Sequence, residues 1–265
     1  FTVVLTSQPT ADVSIELWGY LQVTPSAATL TFTPANWNTP QTVTVTADND
    51  RTVEGTHYDH IFFLYTSADA NYNFPPTSAA FPSGLFDAPS GDVIEITDND
   101  SATYQFTAAA NSVSEAAGAT NITVSLTFNT DGTGGNALSA PISVPFTVGG
   151  TATGSGADYT ISGGTVTIPA GGTSQNIAVT IVDDAIVESN ETVIVTLGAE
   201  TGGSAGQQAA VTLGTPNVRT VTITDNDVVG VVITDPVIDV TEGGATDSFT
   251  VVLTSQPTAD VSIEL

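Results

Sequence analysis

The residues best suited to chemistry in this sequence are carboxylates that stand where predicted strands end. Loops at one end of a β-sandwich lie together in space, so carboxylates in such loops converge even when they are far apart in sequence. Calcium takes roughly six to eight oxygen ligands in irregular geometry and needs neither His nor Cys. Within residues 101–227 the candidate ligands are Glu115, Asp158, Asp183, Asp184, Glu188, Glu191, Asp225 and Asp227.

The overall charge also favours a bound cation. The 265 residues include 28 Asp and Glu but only two basic residues, Arg51 and Arg219, which gives a formal charge of -26. Such a charge repels nucleic-acid phosphates and anionic lipid headgroups, so neither is an expected partner. Two cations cannot pair with 28 carboxylates, so water, salt or metal ions must balance most of them. The lack of Cys excludes disulfides and thiol-ligated zinc.

Membrane insertion and catalysis find no support in the sequence. There is no run of about 18 apolar residues, the length that a membrane span requires. The sequence contains no nucleophile elbow and no phosphate-binding loop, and neither His57 nor His60 lies in a metalloprotease motif. Paired carboxylates could in principle hydrolyse glycosides, but the available pairs occupy the predicted calcium positions. We therefore expect a protein that is not an enzyme.

Internal repeats organise the chain. Residues 1–17 and 249–265 are the same seventeen letters, FTVVLTSQPTADVSIEL, at an offset of 248. Inside that period, ITDND recurs at residues 96–100 and 223–227, an offset of 127. The repeats predict three parts: a module at 1–100 that lacks its first strand, a complete module at 101–227, and the start of the next module at 228–265.

The local pattern is that of β-strands. Residues 42–46, 192–197 and 220–224 alternate apolar and polar side chains with a period of two. Clusters of Gly, Pro, Asn and Asp separate these runs, and no window shows sustained helical periodicity. We therefore predict an all-β protein of tandem immunoglobulin-like antiparallel β-sandwiches with about seven strands each.

Five motifs of residues 101–227 resemble those of the Calx-β domain. They are VSE at 113–115, ADYT at 157–160, TVTIPAG at 165–171, VDDAIVESNET at 182–192 and ITDND at 223–227. Calx-β domains are immunoglobulin-like calcium-binding modules of sodium–calcium exchangers and of tandem arrays in bacterial surface proteins. The resemblance implies the same eight carboxylates as calcium ligands. It adds Asn226, whose amide oxygen stands where exchanger domains usually have a third Asp.

The other module resembles a divergent relative of the same family. His57 stands where module 101–227 has Glu191, Asn49 stands where that module has Asp183, and Asp158 has no counterpart. The resemblance therefore implies fewer or weaker calcium ions in this module. Its candidate ligands are Asp48, Asp50, Glu54, Asp98, Asp100 and Glu242.

These patterns favour a structural function with Ca²⁺ as the cofactor. We expect a calcium-stabilised repeat of an extracellular filament, giant adhesin or surface layer, whose partners are further copies of the same repeat in a covalent array or homopolymer. The alternative is an adhesin module that binds glycans or a cell-surface receptor through the aromatic segment 71–90. That segment is equally compatible with a long loop folded against its own sandwich.

Overall fold

The computed structural model describes residues 1–72, 93–234 and 237–264. Apart from Asn71 and Tyr72, the aromatic segment 71–90 lies outside the described residues. The chain divides into two compact units. The first unit comprises Phe1–Ser101, Phe128–Ser139 and Gly203–Ala210, and the second comprises Ala102–Thr127, Ala140–Gly202 and Val211–Leu265.

The bounds of these units differ from those of the predicted modules in three places, one of which is that residues 228–265 belong to the second unit. The main segment of the first unit ends at Ser101, close to the predicted boundary, but residues 128–139 and 203–210 also belong to this unit. Backbone contacts explain the difference: Ala137–Leu138 pairs in parallel with Thr52–Val53. Such pairing depends on the three-dimensional path of the loops and leaves no pattern in the sequence.

The strands of the first unit form one four-stranded sheet and several two-stranded ribbons. The sheet has the order β4-β2-β8-β9, and β1 pairs with β5, β3 with β6, and β7 with β13. The only α-helix in the described part of the chain, α1, is Ala205–Ala210. The strands, numbered along the chain, are β1 Thr2–Val3, β2 Val13–Gly19, β3 Val23–Pro25, β4 Thr29–Phe32, β5 Gln41–Thr42, β6 Val45–Ala47, β7 Thr52–Val53, β8 His57–Ser67, β9 Val93–Ile96 and β13 Ala137–Leu138.

The second unit contains a sandwich of two sheets and a separate two-stranded ribbon, in which β22 pairs with β23. One sheet of the sandwich has the order β15-β17-β12-β10-β20, and the other has the order β11-β21-β18-β14-β16 with β19 beside β14. The all-β prediction is confirmed. The remaining strands are β10 Ser101–Phe106, β11 Ala110–Ser114, β12 Ala119–Asn129, β14 Ile142–Gly150, β15 Tyr159–Ile161, β16 Thr165–Ile168, β17 Ser174–Ile181, β18 Glu191–Leu197, β19 Thr201–Gly202, β20 Val211–Leu213, β21 Val218–Thr224, β22 Val231–Thr234 and β23 Thr250–Leu253.

Alternation of side chains explains why these strands pack as they do. In β18, Val193, Val195 and Leu197 are buried while the residues between them are only partly buried. A strand with this period places one row of side chains in the core and the other toward the surface. Tyr104 is also buried in the core, where its hydroxyl donates a hydrogen bond to the Gly198 carbonyl at 2.9 Å. No helix among the described residues is long and apolar enough to span a membrane.

The two units share a pattern of strand pairing. In the first unit β2 pairs with β4 and β8, and β8 pairs with β9. In the second unit β14 pairs in the same way with β16 and β18, and β18 pairs with β21. The β1–β5 pair likewise corresponds to the β12–β17 pair. The two units therefore have these strand pairings in common.

The repeated seventeen residues adopt the same structure only in part. Thr250–Leu253 forms β23, as Thr2–Val3 forms β1, but Val261 lies outside any strand whereas Val13 opens β2. In the first unit β2 is held between β4 and β8. Within the described residues, no strand flanks 261–264 in this way. Identical residues therefore form a strand only where neighbouring strands complete their hydrogen bonds.

Gly150 provides a test of how tightly the second unit is packed next to the carboxylates. Its φ is +120°, and a Cβ at this position would lie 2.0 Å from the carbonyl oxygen of Thr192. We expect Gly150→Ala to lower the free energy of unfolding by about 2 kcal/mol or more, through backbone strain and overpacking. A Cβ at Gly149 would have no atom within 4 Å, so Gly149→Ala is the matched control. Equal urea midpoints for the two variants would contradict the prediction.

Candidate metal centre

Strand ends bring the predicted carboxylates of the second unit together. Glu115 begins a single 3-10 turn directly after β11, and the Ser114 side chain accepts a hydrogen bond from the Ala116 amide of that turn. Asp184 follows β17, and Asp225 follows β21. Because the strands of both sheets end at the same two ends of a sandwich, turns that are distant in sequence become neighbours.

Seven of the eight carboxylates fall into three overlapping groups. In each group one oxygen of every member lies within 4.8 Å of the others. Glu115 and Glu188 each belong to two groups, so the groups form a continuous row. The groups are Glu115 with Asp184 and Glu188, Glu115 with Asp225 and Asp227, and Asp158 with Glu188 and Glu191.

Asp184 and Glu188 are exposed, but burial at Glu115 and Asp227 distinguishes part of the row from a solvated acidic surface. Glu115 is only 4% exposed, and its Oε2 atom is buried without a hydrogen-bond partner. The Oδ2 atom of Asp227 is also buried and unpartnered. A buried charged oxygen without a partner is costly, whereas a metal ion can satisfy it. The donor set, which is entirely oxygen, fits a hard cation.

Backbone amides hold several of these carboxylates in place. The two carboxylate oxygens of Asp225 accept the amide hydrogens of Glu188 and Asp227, each at 2.9 Å. The Oδ1 atom of Asp184 accepts the Ile186 amide at 2.7 Å, and Thr153 donates its amide to Asp158. These bonds are typical of turns that start with Asp. They orient the side chains but do not neutralise them.

The electrostatic cost of the row appears in its acid–base behaviour. Burial, a hydrogen bond to Asp158 and the negative charges of Asp158 and Glu188 together raise the pKa of Glu191 to about 7. Burial first, and then neighbouring carboxylates, also raises the pKa values of Glu115, Glu188 and Asp227. Each of these groups therefore binds a proton more readily than an isolated carboxylate in water does.

Two predicted ligands lie at the margin of the row. Asp183 is exposed and belongs to none of the three groups, although its charge contributes to the raised pKa of Asp227. Asn226 is exposed between Asp225 and Asp227. Their roles as ligands therefore stay predictions.

The corresponding end of the first unit is built differently. Asp98 holds a turn, because its Oδ2 atom accepts the amides of Glu54 and Gly55, each at 2.8 Å. No metal-binding group of three was found among the first unit's described residues. A pocket of about 260 Å³ is lined by residues that include Asp48, Asp50, Glu54, Asp98 and Asp100.

Hydrogen-bonding side chains occupy part of that pocket. Gln22 donates its amide to both carboxylate oxygens of Glu54, at 3.2 and 3.0 Å. The Nε2 atom of His57 lies 3.4 Å from the same carboxylate and also contacts the Gln22 side-chain oxygen. The amide of Gln22 and the imidazole of His57 therefore contact Glu54. In the sequence, Glu54 corresponds to Glu188, which belongs to the row of carboxylates in the second unit.

Asp131 is a residue of this site that sequence reasoning missed. Its Oδ1 atom accepts the side-chain amides of Asn49 at 2.8 Å and Asn99 at 2.9 Å, and its backbone amide donates to Asp100 at 3.0 Å. In sequence it is one Asp in a Gly-rich turn, the usual signature of a surface loop. The predicted ligand Glu242 is exposed in the second unit. Among the described residues, it belongs to none of the three groups of carboxylates that could hold a metal ion.

Comparison with known proteins places the second module in context. Residues 97–227, just under half of the chain, match the family model described as "Calx-beta domain", a family of calcium-binding domains. No curated protein matches the chain. Similar solved structures include the apo form of the Calx CBD1 domain, with 25% identity over 48% of this chain and 99% of that chain and a TM-score of 0.38. Another is CBD12 from CALX1.2, with 24% identity over 53% of this chain and 51% of that chain, and a TM-score of 0.38.

The raised pKa of Glu191 predicts an unusual pH dependence for the metal-free protein. Because its folded pKa is about 7 and its ordinary value is 4.5, the folded state binds more protons than the unfolded state between these values. The free energy of unfolding should therefore fall as the pH rises through this window. In chelator, we expect a higher melting temperature near pH 5 than near pH 8.

Two variants test this explanation: one removes the carboxylate of Glu191, and the control removes a carboxylate of the first unit. Glu191→Gln should reduce the difference between the two melting temperatures, while Glu16→Gln, in β2 of the first unit, should not. A wild-type melting temperature that rises steadily with pH in chelator would contradict the prediction.

Proposed function

We propose that the second unit binds calcium through its row of carboxylates and that the ions are part of its fold. The observation that carries the proposal is Glu115, a buried carboxylate with an unpartnered oxygen that belongs to two of the three oxygen groups. The match of residues 97–227 to the Calx-beta domain supports the same assignment. The ligands are Glu115, Asp158, Asp184, Glu188, Glu191, Asp225 and Asp227, with Asp183 and Asn226 at the margin.

The chemistry of the row favours calcium over other metals. Zinc and copper sites use His or Cys, and neither residue occurs in the row. Magnesium requires a near-octahedral shell at short distances, whereas calcium accepts more oxygens in irregular positions. Glu115 and Glu188, which link neighbouring groups, are placed to bridge adjacent ions with their two oxygens.

Bound calcium would act by removing repulsion. Two carboxylates about 4 Å apart repel each other by about 4 kcal/mol at an effective dielectric constant near 20. A few such pairs rival the roughly 5–15 kcal/mol that stabilises a whole domain. An ion that binds only the folded state therefore locks the turns after β11, β17 and β21 together and stiffens that end of the sandwich.

The repeat suggests the context in which such a unit works. Residues 249–265 begin the repeat again with the letters of residues 1–17, which suits an array of successive units. A chain with this excess of carboxylates and no Lys is suited to a calcium-rich environment outside the cell, where calcium ions can balance the negative charge. We place the chain in an extracellular filament, adhesin or surface layer, with copies of the same repeat as partners and no catalytic activity.

One observation favours glycan recognition as a second candidate function. Trp18 is 46% exposed and its ring lies 5.8 Å from that of Phe62, which also contacts the exposed Tyr20 edge to face. Exposed aromatic rings of this kind provide flat apolar surfaces for ligands. Binding to a glycan array that Trp18→Ala abolishes would support this candidate.

The calcium proposal predicts a strong dependence of stability on metal. We expect a chelator to lower the melting temperature of the full chain, and calcium to restore it more effectively than magnesium. A ligand that binds only the folded state adds about 2.7 kcal/mol at a hundredfold excess over its Kd. Differential scanning calorimetry with and without calcium measures the effect.

The matched variants separate specific binding from general charge. Asp184→Asn with Glu188→Gln should abolish most of the calcium-induced rise in melting temperature. Asp12→Asn with Glu16→Gln removes the same number of charges from the first unit and should preserve the rise. Identical melting curves in chelator and in calcium would overturn the proposed function.

A further inference from the structure

Three aromatic rings lie together on one face of the first unit. Trp18 and Phe62 are opposite each other on β2 and β8, with their ring centroids 5.8 Å apart. The ring of Tyr20 meets that of Phe62 edge to face at the same separation. Because β2 and β8 are both interior strands of the four-stranded sheet, Trp18 and Phe62 lie on a sheet face and not at a free edge. Trp18 is 46% exposed and Tyr20 is 59% exposed, so this face presents aromatic surface to solvent.

The strand pairing itself does not require aromatic residues at these positions. In the second unit, β14 and β18 correspond to β2 and β8, and they carry Thr147 opposite Thr196. An offset of 134 aligns β8 with β18, together with the D-x-x-x-E motifs that precede them, and places Phe62 at Thr196. One unit therefore builds this pairing with two threonines and the other with Trp18 and Phe62. A cluster of exposed apolar side chains that the fold does not need indicates a binding surface.

A buried carboxylate holds the turn that carries Tyr20. Asp59 is 3% exposed, and its Oδ2 atom accepts the backbone amides of Leu21 at 3.0 Å and Gln22 at 2.6 Å. The amide of Tyr20 itself donates to the carbonyl of His60 at 3.0 Å. A binding surface whose backbone is fixed in advance loses little conformational entropy when a ligand binds.

A pocket beside these rings contains one carboxylate, that of Asp48. The pocket has a volume of about 380 Å³, and its lining includes Trp18, Tyr20, Leu21, Pro25 and Asp48. The backbone amide of Asp48 donates to the carbonyl of Gln22 at 2.8 Å, which ties it to the turn described above. Within the residues that the structure describes, the carboxylate of Asp48 forms neither an ion pair nor a hydrogen bond. It is therefore available to a cationic group of a ligand, the type of partner with which carboxylates form their stronger hydrogen bonds.

The charge of the chain decides which ligands this pocket can attract. The formal charge is -26, and Asp48 also borders the acidic pocket that Asp50, Glu54 and Asp98 line. Sugars with carboxylate or sulfate groups are repelled from such a surface, whereas cations are attracted to it. A cation near the face of a Trp or Tyr ring gains further attraction from the ring. The offset of 134 equates Asp48 with Val182, so this carboxylate has no counterpart in the row of the second unit.

We propose that this pocket binds a sugar that carries a free ammonium group, such as a unit of a glucosamine oligosaccharide. The inference rests on the second candidate function, glycan recognition, and names the class of sugar. The apolar face of the sugar ring stacks on Trp18, and the ammonium group donates hydrogen bonds to Asp48. A small ammonium ion alone would use the carboxylate but cover little of the aromatic surface. The carboxylate distinguishes an amino sugar from its N-acetylated form, because only the amino sugar brings a charged donor.

Calorimetric titration of the full chain with the tetramers of glucosamine and of N-acetylglucosamine tests the proposal. In mildly acidic buffer, which keeps the amines protonated, the glucosamine tetramer should bind about tenfold more tightly, a factor that corresponds to about 1.4 kcal/mol. Asp48→Asn should abolish this difference. Asp12→Asn removes one carboxylate just before β2, at the end of that strand away from Trp18, and should preserve the difference.

A second variant tests the aromatic surface. Trp18→Thr introduces the residue type that the second unit has at position 147, and it should abolish the binding of both tetramers. Trp18, Asp48 and Asp12 are all exposed, so the melting temperature of each variant should equal that of the wild type. This measurement shows that a loss of binding does not come from unfolding.

The outcomes separate this inference from the function on which it rests. Equal affinities for the two tetramers, both lost in Trp18→Thr, would overturn the amino sugar and leave glycan recognition standing. If neither tetramer binds, the inference is wrong, and a glycan array without any binding would refute glycan recognition as well. A preference that Asp48→Asn and Asp12→Asn reduce equally would reflect general charge and overturn the pocket as the site. Choline that binds as tightly as the glucosamine tetramer would overturn the role of the sugar ring.

Discussion

Repulsion among carboxylates gathered at one end of a β-sandwich is the constraint on which this structure depends. Within the described residues, His57 and Glu54 form the one contact between a basic and an acidic side chain at salt-bridge distance, and the row in the second unit has no such contact. Backbone amides orient Asp225 and Asp184, and burial leaves one oxygen of Glu115 without a partner. Hydrogen bonds alone cannot offset charges held this closely.

The two units resolve this constraint in different ways. In the second unit seven carboxylates lie close together in three overlapping oxygen groups. In the first unit Gln22 and His57 surround Glu54, and Asn49 and Asn99 donate to Asp131. Amide donors lower the density of negative charge while they keep the turn geometry. A common fold thus supports one end suited to metal ions and another held by hydrogen bonds.

The sequence allowed the strands and the row of carboxylates to be predicted because both depend on local pattern. Alternation in residues 192–197 reports which side chains face the core, and the acidic residues after β17 and β21 mark where one strand of each sheet ends. Contacts through long loops could not be predicted. Asp131 accepts a hydrogen bond from Asn49 because the loop of residues 128–139 carries it there. The pairing of Ala137–Leu138 with Thr52–Val53 in the same loop also has no sequence signature.

The parallel pairing of β11 with β21 has a mechanical consequence. Ala110 lies beside Thr220 and Ser114 beside Thr224, so β11, near the start of the two-sheet sandwich, runs in the same direction as β21, the last strand of that sandwich along the chain. Tension applied to the two ends would pull β11 and β21 past each other along their axes, and the evenly spaced hydrogen bonds would bear load together instead of opening one at a time. Forced unfolding is governed by the rate of the opening step, and this shear geometry slows that step.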